Sequence, residues 1–207
     1  MAAVILAGGG GERLGRPKPL VELGGRPLIA YALEAALEVV DEVVVVASKG
    51  TSTVLRGMLP RGVEVVEDLE GGRGPLMGLY TGLRAVGVHY ALVLPCDSPL
   101  LNIDVLRYLL ERAEGFDAAV PRWPNGYIEP LHSVYRVEPS LRACGEALES
   151  GGLEVRGLLE RLEGVLYVPT EELRALDPGL HTFFNVNTPE ELEEAEHILR
   201  EKRRGSP

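Results

Sequence analysis

The residues best suited to chemistry in this sequence follow its first apolar run. Residues 2–7 predict a buried strand, and the run ends in four consecutive glycines, Gly8 to Gly11. Glycine lacks a Cβ atom, so backbone N–H groups in such a loop can turn inward and approach an anion closely. Two cations, Arg13 and Lys18, follow in the same loop. The segment predicts a triphosphate site in which Arg13 and Lys18 neutralise the charge that moves onto a leaving pyrophosphate.

Two common glycine motifs do not fit this loop. A P-loop requires lysine and then serine or threonine directly after Gly15, where the chain has Arg16 and Pro17. The dinucleotide-binding GxGxxG motif fails because Arg13 and Leu14 stand where its last glycine belongs. A flexible loop with two solvated cations is the alternative interpretation, but the ordered sequel up to Lys18 favours a binding site.

Asp97 is the carboxylate best placed for metal chemistry. It follows the apolar run 90–95, at a carboxyl end of the predicted sheet, where open α/β folds bind their ligands. A carboxylate there can hold Mg²⁺ while the metal keeps waters and phosphate oxygens as its other ligands. The alternative is a turn aspartate that caps its own loop, as Asp-Ser-Pro segments often do.

An asparagine pair near the end of the chain is a second polar candidate. Asn185 and Asn187 alternate about Val186, so in an extended segment both amides face the same side. We expect that side to help Asp97 position the metal or an acceptor phosphate. Alternatively, the two amides only satisfy backbone groups before the helix cap at Thr188.

These residues must be positioned by alternating strands and helices. Short apolar runs alternate with amphipathic stretches, which is typical of a mostly parallel sheet covered by helices on both faces, and no linker interrupts the chain. We predict a single α/β domain over residues 1–207. The predicted strands are 2–7, 42–47, 62–67, 90–95, 117–121 and 165–168, with strand character at 131–135. The predicted helices are 27–38, 75–86, 102–114, 138–150, 153–163 and 189–203, the last opened by the capping box Thr188-Pro189-Glu190-Glu191.

Composition excludes several classes of protein. The 207 residues carry a formal charge of −10, which argues against a nucleic-acid surface. No apolar run approaches the roughly 20 residues of a membrane span, and no signal peptide is evident, so we expect a cytoplasmic protein. Two cysteines make a disulfide framework or structural zinc unexpected. Glutamine is absent and asparagine is scarce, which fits a thermophilic source.

Four motifs in order carry a family resemblance. The pattern LAGG-x3-R-[LM]-G-x2-K-x-L at residues 6–20 resembles the signature loop of nucleotidyltransferases similar to molybdenum cofactor guanylyltransferase. The resemblance continues through Glu67-Asp68 with residues 74–79, then residues 94–99, then residues 184–192. It implies a single-domain, Rossmann-like, three-layer α/β/α fold of the nucleotide-diphospho-sugar transferase type. The nucleotide-binding part would span about 1–100 and the acceptor-binding part about 101–207.

The resemblance also implies a reaction and a set of roles. GMP would pass from GTP to the phosphate of Mo-molybdopterin, giving the guanine dinucleotide cofactor and pyrophosphate with the help of Mg²⁺, and the product would reach molybdoenzymes through transient contacts. Arg13, Lys18 and Asp97 would be catalytic, with Asp97 holding the metal. Asp97 and Lys18 would also belong to the nucleotide site, whose other members are Leu6, Ala7, Gly8, Gly9 and Asp68.

The acceptor side of the resemblance is less defined. His132 matches an acceptor-side PLH-x-x-Y stretch, and with Asn185 and Asn187 it would position the acceptor or its phosphate. A histidine in such a strand is as often structural, so we do not assign His132 as a base. Trp123 has two interpretations, stacking on a pterin or packing at the surface.

Three alternatives remain at this stage. Members that use GTP typically carry LAGG and those that use CTP carry LAAG, so residues 6–9 favour guanine; however, the family often has an asparagine where this chain has Val46-Ala47-Ser48. A molybdopterin cytidylyltransferase therefore stays open, with Ser48 as a candidate replacement for the missing amide. A guanylyltransferase for adenosylcobinamide phosphate shares the loop and the asparagine pair. A regulatory module that binds nucleotide without catalysis is the alternative of another class.

Overall fold

A computed structural model of the protein describes residues 1–8, 12–70 and 74–205. Its strands are β1 (Ala2–Ala7), β2 (Glu22–Leu23), β3 (Arg26–Pro27), β4 (Glu42–Ala47), β5 (Glu64–Glu67), β6 (Tyr90–Pro95), β7 (Ala118–Arg122), β8 (Ser133–Arg136) and β9 (Val165–Pro169). Its α-helices are α1 (Leu28–Leu37), α2 (Lys49–Met58), α3 (Gly74–Ala85), α4 (Ile103–Arg112), α5 (Val137–Glu149), α6 (Arg156–Leu159), α7 (Thr170–Leu173) and α8 (Pro189–Gly205). Short 3-10 helices cover Glu12–Leu14, Lys18–Leu20 and His181–Phe183.

Seven strands form one sheet in the order β5-β4-β1-β6-β8-β7-β9. All of its pairings are parallel except those of β8, which runs antiparallel to both β6 and β7. β1 is apolar and buried along its whole length because it pairs on both edges and is covered on both faces. The predicted mostly parallel α/β sheet is confirmed.

Helices cover both faces of this sheet, as expected for a three-layer fold. One core cluster joins Ala3 and Ile5 of β1 to α1 and α4, and the other joins Val4 and Leu6 to α3 and α5. Helix α3 approaches β1 very closely at Gly82, where a Cβ atom would lie only 2.2 Å from Cγ1 of Val4. Glycine at this position therefore sets the spacing between helix and sheet.

A third, smaller apolar cluster ties distant parts of the chain together. Leu23 of the β2–β3 hairpin and Val21 just before it form one side of this cluster. Ala195 of α8 and Val186, from the segment before α8, form the other side. The amide of Val186 also donates to the carbonyl of Asp97 over 2.8 Å. These contacts bring the asparagine segment next to the loop that carries Lys18.

Most predicted elements are present, with differences where the sequence is polar. Helix α2 was not predicted because Lys49-Gly50-Thr51-Ser52-Thr53 has low helix propensity, yet a crossover is required between the parallel strands β4 and β5. The predicted helix 153–163 is helical only in α6. Helix α8 and its capping box are confirmed, with the amide of Glu191 donating to Oγ1 of Thr188 over 3.2 Å. Among the described residues, no helix is both long and apolar enough to cross a bilayer.

Candidate active site

The candidate site lies where the strand order reverses. From β1 the chain moves outward to β4 and β5 and then returns to β6 on the other edge of β1, which makes the carboxyl ends of β1 and β6 a topological switch point. The amide of Cys96 donates to the carbonyl of Leu6 over 3.1 Å and holds these two ends together. A cavity of about 420 Å³ opens there, lined by Leu6, Gly8, Lys18, Val46, Asp68, Gly74, Pro75, Gly78, Pro95, Cys96, Asp97 and Leu131. Five predicted site residues therefore meet in one cavity.

Lys18 is the centre of the polar contacts in this cavity. It begins the short helix Lys18–Leu20, and its Nζ donates to Oδ2 of Asp97 over 2.6 Å and to Oδ1 of Asn187 over 2.5 Å. The side chains of Lys18 and Asp97 are only 21% and 12% exposed, so solvent screens this ion pair weakly. The structure thus brings two predicted site residues, Asp97 and Asn187, within hydrogen-bond distance of a third, Lys18.

The asparagine pair contacts the same turn from the other side. Asn185 accepts a hydrogen bond from Oγ of Ser98 through its Oδ1 over 2.5 Å, while Asn187 turns its own Oδ1 to Lys18. The backbone N–H of Asn187 donates to Oε2 of Glu191 over 2.6 Å, which fixes the segment to the first turn of α8. Both amides therefore hold the Asp97-Ser98 turn and its lysine partner, instead of only satisfying backbone groups.

His132 lies behind this turn and does not line the cavity. Its side chain is 1% exposed, with Nε2 located 2.9 Å from Oγ of Ser98 and Nδ1 located 3.6 Å from Oε2 of Glu129. The other oxygen of Glu129 accepts a hydrogen bond from Nε1 of Trp123 over 2.8 Å. Through this buried chain of contacts His132 supports Ser98, the residue directly after Asp97.

Trp123 packs instead of presenting a free ring face. Its ring meets Phe183 edge-on at 5.8 Å between centroids, and its N–H donates to Glu129.

Two residues of this buried chain, Glu129 and Ser98, were not predicted from the sequence. The signal for Glu129 was an acid directly between Ile128 and Pro130, and the signal for Ser98 was its place directly after Asp97.

Asp68 is the second carboxylate in the cavity. It follows β5, and its amide donates to the carbonyl of Ala47 over 2.9 Å. Its Oδ1 is buried and has no hydrogen-bond partner among the described residues. Removal from solvent is the main reason why the pKa of Asp68 is raised above its ordinary value. An acceptor atom with no partner in a cavity wall suits a ligand N–H group.

The remaining predicted residues are less closely associated with the cavity. Arg13 is exposed and lines a separate, shallower cavity beside Arg16 and Pro189. Ala7 is buried at the end of β1, and Gly9 lies outside the described residues. Ser48 donates to Oγ1 of Thr51 over 3.1 Å and is not among the residues that line the cavity.

The electrostatics of the cavity exclude one nucleophile. Cys96 lines the cavity but is almost fully buried, and loss of solvation raises the pKa of its thiol far above the ordinary value. The thiol therefore stays protonated at neutral pH. Among the described residues, no cluster of three or more histidine, cysteine, aspartate or glutamate side chains is arranged to hold a metal ion.

Comparison with known families agrees with this geometry. Residues 3–165 match the family model described as the MobA-like NTP transferase domain. The chain belongs to the MobA-like NTP transferase family. The matched range contains the glycine loop, Asp68, Asp97 and His132, while the asparagine pair lies beyond it.

Individual relatives extend over nearly the whole of this MobA-like transferase. A "Probable molybdenum cofactor guanylyltransferase" of Natronomonas pharaonis is 39% identical, covering 95% of the chain and 96% of the relative. A protein of the same name from Pelotomaculum thermopropionicum is 37% identical, covering 98% and 95%. The crystal structure of molybdopterin-guanine dinucleotide biosynthesis protein A from Archaeoglobus fulgidus has a TM-score of 0.83 at 33% identity, covering 97% of this chain and 100% of that one. The fold and the nucleotidyltransferase class of this MobA-like protein are thereby established.

Proposed function

We propose that this protein is a molybdenum cofactor guanylyltransferase that transfers GMP from GTP to the terminal phosphate of Mo-molybdopterin. The observation that carries the proposal is the contact of Lys18 with Asp97, which both line the cavity, and with Asn187. This contact puts a cation and oxygen ligands at the switch point where α/β folds bind nucleotides. The names of the full-length relatives supply the choice of guanine nucleotide and pterin acceptor.

The reaction needs positioning more than covalent chemistry. An oxygen of the acceptor phosphate attacks the α-phosphorus of GTP in line, a new P–O bond forms, and the bond to the β-phosphate oxygen breaks with release of pyrophosphate. The attacking oxygen is already anionic, so no protein base or nucleophile is required. This agrees with a thiol at Cys96 that stays protonated and with a His132 that lies behind the cavity wall.

Lys18 and Arg13 would stabilise the charge that develops on the departing pyrophosphate. Lys18 is held at the site by Asp97 and Asn187 before substrate arrives, and its ammonium would turn to the triphosphate once these oxygens serve as metal ligands. Arg13 would approach from its exposed position on the neighbouring loop. The backbone of Leu6 to Gly9 would contact the base and the phosphates.

The oxygen atoms around Lys18 fit Mg²⁺. Oδ2 of Asp97 and Oδ1 of Asn187 converge on one cation, the ammonium of Lys18, and both are the oxygen ligands that Mg²⁺ prefers. With only one carboxylate among them, the ion would share its coordination with water and with the triphosphate. Bound there, Mg²⁺ would neutralise phosphate charge, and Asp97 would be its protein anchor.

The nucleotide would occupy the side of the cavity formed by residues of the first half of the chain. Leu6, Val46 and Gly78 provide an apolar surface for a base, and the Oδ1 of Asp68 provides an acceptor for its amino group. The acceptor molecule would lie on residues of the second half, about 101–207.

CTP is the second candidate nucleotide because Val46 stands where the family often has asparagine. The proposal includes a cytoplasmic location and transient contacts with molybdoenzymes.

Pyrophosphate release tests this function. The purified protein is incubated with Mg²⁺, with each of GTP, CTP and ATP, and with either Mo-molybdopterin or adenosylcobinamide phosphate as acceptor, and the product is identified by mass. We expect release with GTP, and a loss of at least about 10²-fold in Asp97→Asn but not in Asp104→Asn, a matched change at an exposed aspartate of α4. Release only with CTP would identify a molybdopterin cytidylyltransferase. Release only with adenosylcobinamide phosphate as acceptor would identify a guanylyltransferase for that acceptor. GTP binding without any release would identify a regulatory module.

A further inference from the structure

A second cavity adjoins the first and is not used by the roles described so far. Its volume is about 640 Å³, within the range of small-molecule sites. Pro75 and Leu131 line both cavities, so the two spaces meet at these residues. The other lining residues come mainly from the loop after β7 and from the start of α6: Asn125, Gly126, Tyr127, Ile128, Pro130, Glu154, Val155 and Arg156.

An exposed aromatic ring forms one wall of the second cavity. The Tyr127 residue is 63% exposed, and an aromatic ring left open to solvent beside a cavity offers a stacking surface. The loop that carries it is ordered by three hydrogen bonds. Trp123 N donates to the Tyr127 carbonyl over 2.8 Å, Gly126 N to the Trp123 carbonyl over 2.9 Å, and Tyr127 N to Oδ1 of Asn125 over 2.9 Å. The ring is therefore displayed from a fixed turn.

A guanidinium also lines the second cavity. Arg156 is exposed at the start of α6 and lines the second cavity as well as a smaller one of about 190 Å³ beyond it. No ion pair joins Arg156 to another described residue, although Glu154 and Glu160 line these cavities too. A planar guanidinium can donate two parallel hydrogen bonds to the edge of a heterocycle. The second cavity thus combines an aromatic face with a donor edge.

We propose that the second cavity binds the pterin ring of the acceptor, with its plane against Tyr127 and its carbonyl edge toward Arg156. The inference rests on the proposed function, because it assumes an acceptor with a planar heterocycle at one end and a phosphate at the other. Such a molecule would pass the junction at Leu131 and Pro75 and bring its phosphate to Lys18 and Asp97. The ring and the reacting phosphate would then occupy neighbouring cavities.

Binding measurements on the full chain test this placement. The probe is molybdopterin released anaerobically from a molybdoenzyme, and its Kd and the Kd of GTP are both measured by calorimetry under anaerobic conditions. In Tyr127→Leu, which removes the ring but keeps apolar bulk, we expect molybdopterin to bind about tenfold more weakly. Arg156→Gln should have a similar effect, and Tyr127→Phe should bind as the wild type does. The Kd of GTP should be unchanged in all three variants.

Phe116→Leu is the matched control. Phe116 is an exposed aromatic residue that precedes β7, at the end of the strands opposite the cavities. Its loss should therefore leave both affinities unchanged. An unchanged molybdopterin Kd in both Tyr127→Leu and Arg156→Gln would overturn the inference while leaving GMP transfer intact. If the wild type binds molybdopterin but transfers no GMP to it, the proposed function fails, and the same Kd comparison still decides where the ring lies.

Discussion

Replacing Lys18 by methionine should have opposite effects on two ligands. Methionine keeps the length and apolar character of the side chain but removes the ammonium that contacts Asp97 and Asn187. The triphosphate would lose its main fixed cation, so turnover and GTP affinity should fall. The side-chain oxygens of Asp97 and Asn187 would lose the ammonium that competes with a metal ion for them. The affinity of the protein for a divalent ion, measured in the absence of nucleotide, should therefore rise.

The magnitudes follow from the contact distances. At the 2.6 Å between Nζ and Oδ2, and with an effective dielectric constant of about 20, the gross attraction is about 6 kcal/mol. Desolvation of a pair this buried offsets most of that, and hydrogen bonds to charged groups contribute a net ~1.5–3 kcal/mol. Releasing the carboxylate from this contact should therefore tighten binding of a divalent ion by about ten- to a hundredfold. Losing one electrostatic stabiliser of the transition state should lower kcat by about 10²–10³-fold.

The assay combines Mn²⁺ binding with turnover. Free Mn²⁺ is counted by electron paramagnetic resonance in titrations without nucleotide, and pyrophosphate release is followed with GTP and acceptor. Lys49→Met is the control, because Lys49 is an exposed lysine at the start of α2, outside the residues that line the cavity. A Lys18→Met protein with wild-type turnover and unchanged Mn²⁺ affinity would refute this account of the lysine.

Three further changes test the site and its support. Asp68→Asn should stabilise the free protein at neutral pH and weaken GTP binding. The raised pKa of Asp68 means that the folded state favours the protonated acid, so the wild type loses stability as pH rises through the folded-state pKa. Thermal unfolding curves of the wild type and the variant should therefore converge at acid pH. His132→Phe should lower the free energy of unfolding in urea by about 1–3 kcal/mol and reduce kcat without changing GTP affinity, and equal kcat values would exclude a positioning role. Gly82→Ala should cost about 1–3 kcal/mol because the new Cβ meets Val4, whereas Gly87→Ala, which meets nothing within 4 Å, should have little effect.

The fold could be predicted where local sequence determines the element. β1 is an uninterrupted apolar run, and α8 opens with a capping box, so both were evident without tertiary information. Helix α2 carries no such signal, since Leu55 is its only fully buried apolar residue. Its helical state follows from the need to connect two parallel strands, which is a property of the sheet and not of the segment.

The site was predictable as a set of residues but not as a set of contacts. Lys18 and Asn187 are 169 positions apart, and their hydrogen bond depends on how the β2–β3 hairpin packs against α8. The family resemblance selected both residues, and only the structure shows that the lysine lies between the asparagine and Asp97. Tyr127 was missed because a single exposed aromatic residue in a turn has no periodic pattern to mark it.

The charge distribution explains how an acidic protein can bind a polyanion. The chain carries a formal charge of −10, so its long-range field opposes the approach of GTP. Three of the four cations at residues 13–26 are also paired with acids: Arg16 with Glu22 at 3.8 Å, Lys18 with Asp97 at 2.6 Å and Arg26 with Glu34 at 2.8 Å. Attraction must then come from short-range contacts with Lys18 and backbone N–H groups inside a partly enclosed cavity. Such contacts are screened little by salt, so the affinity for GTP should depend far less on ionic strength than that of a protein with a basic surface.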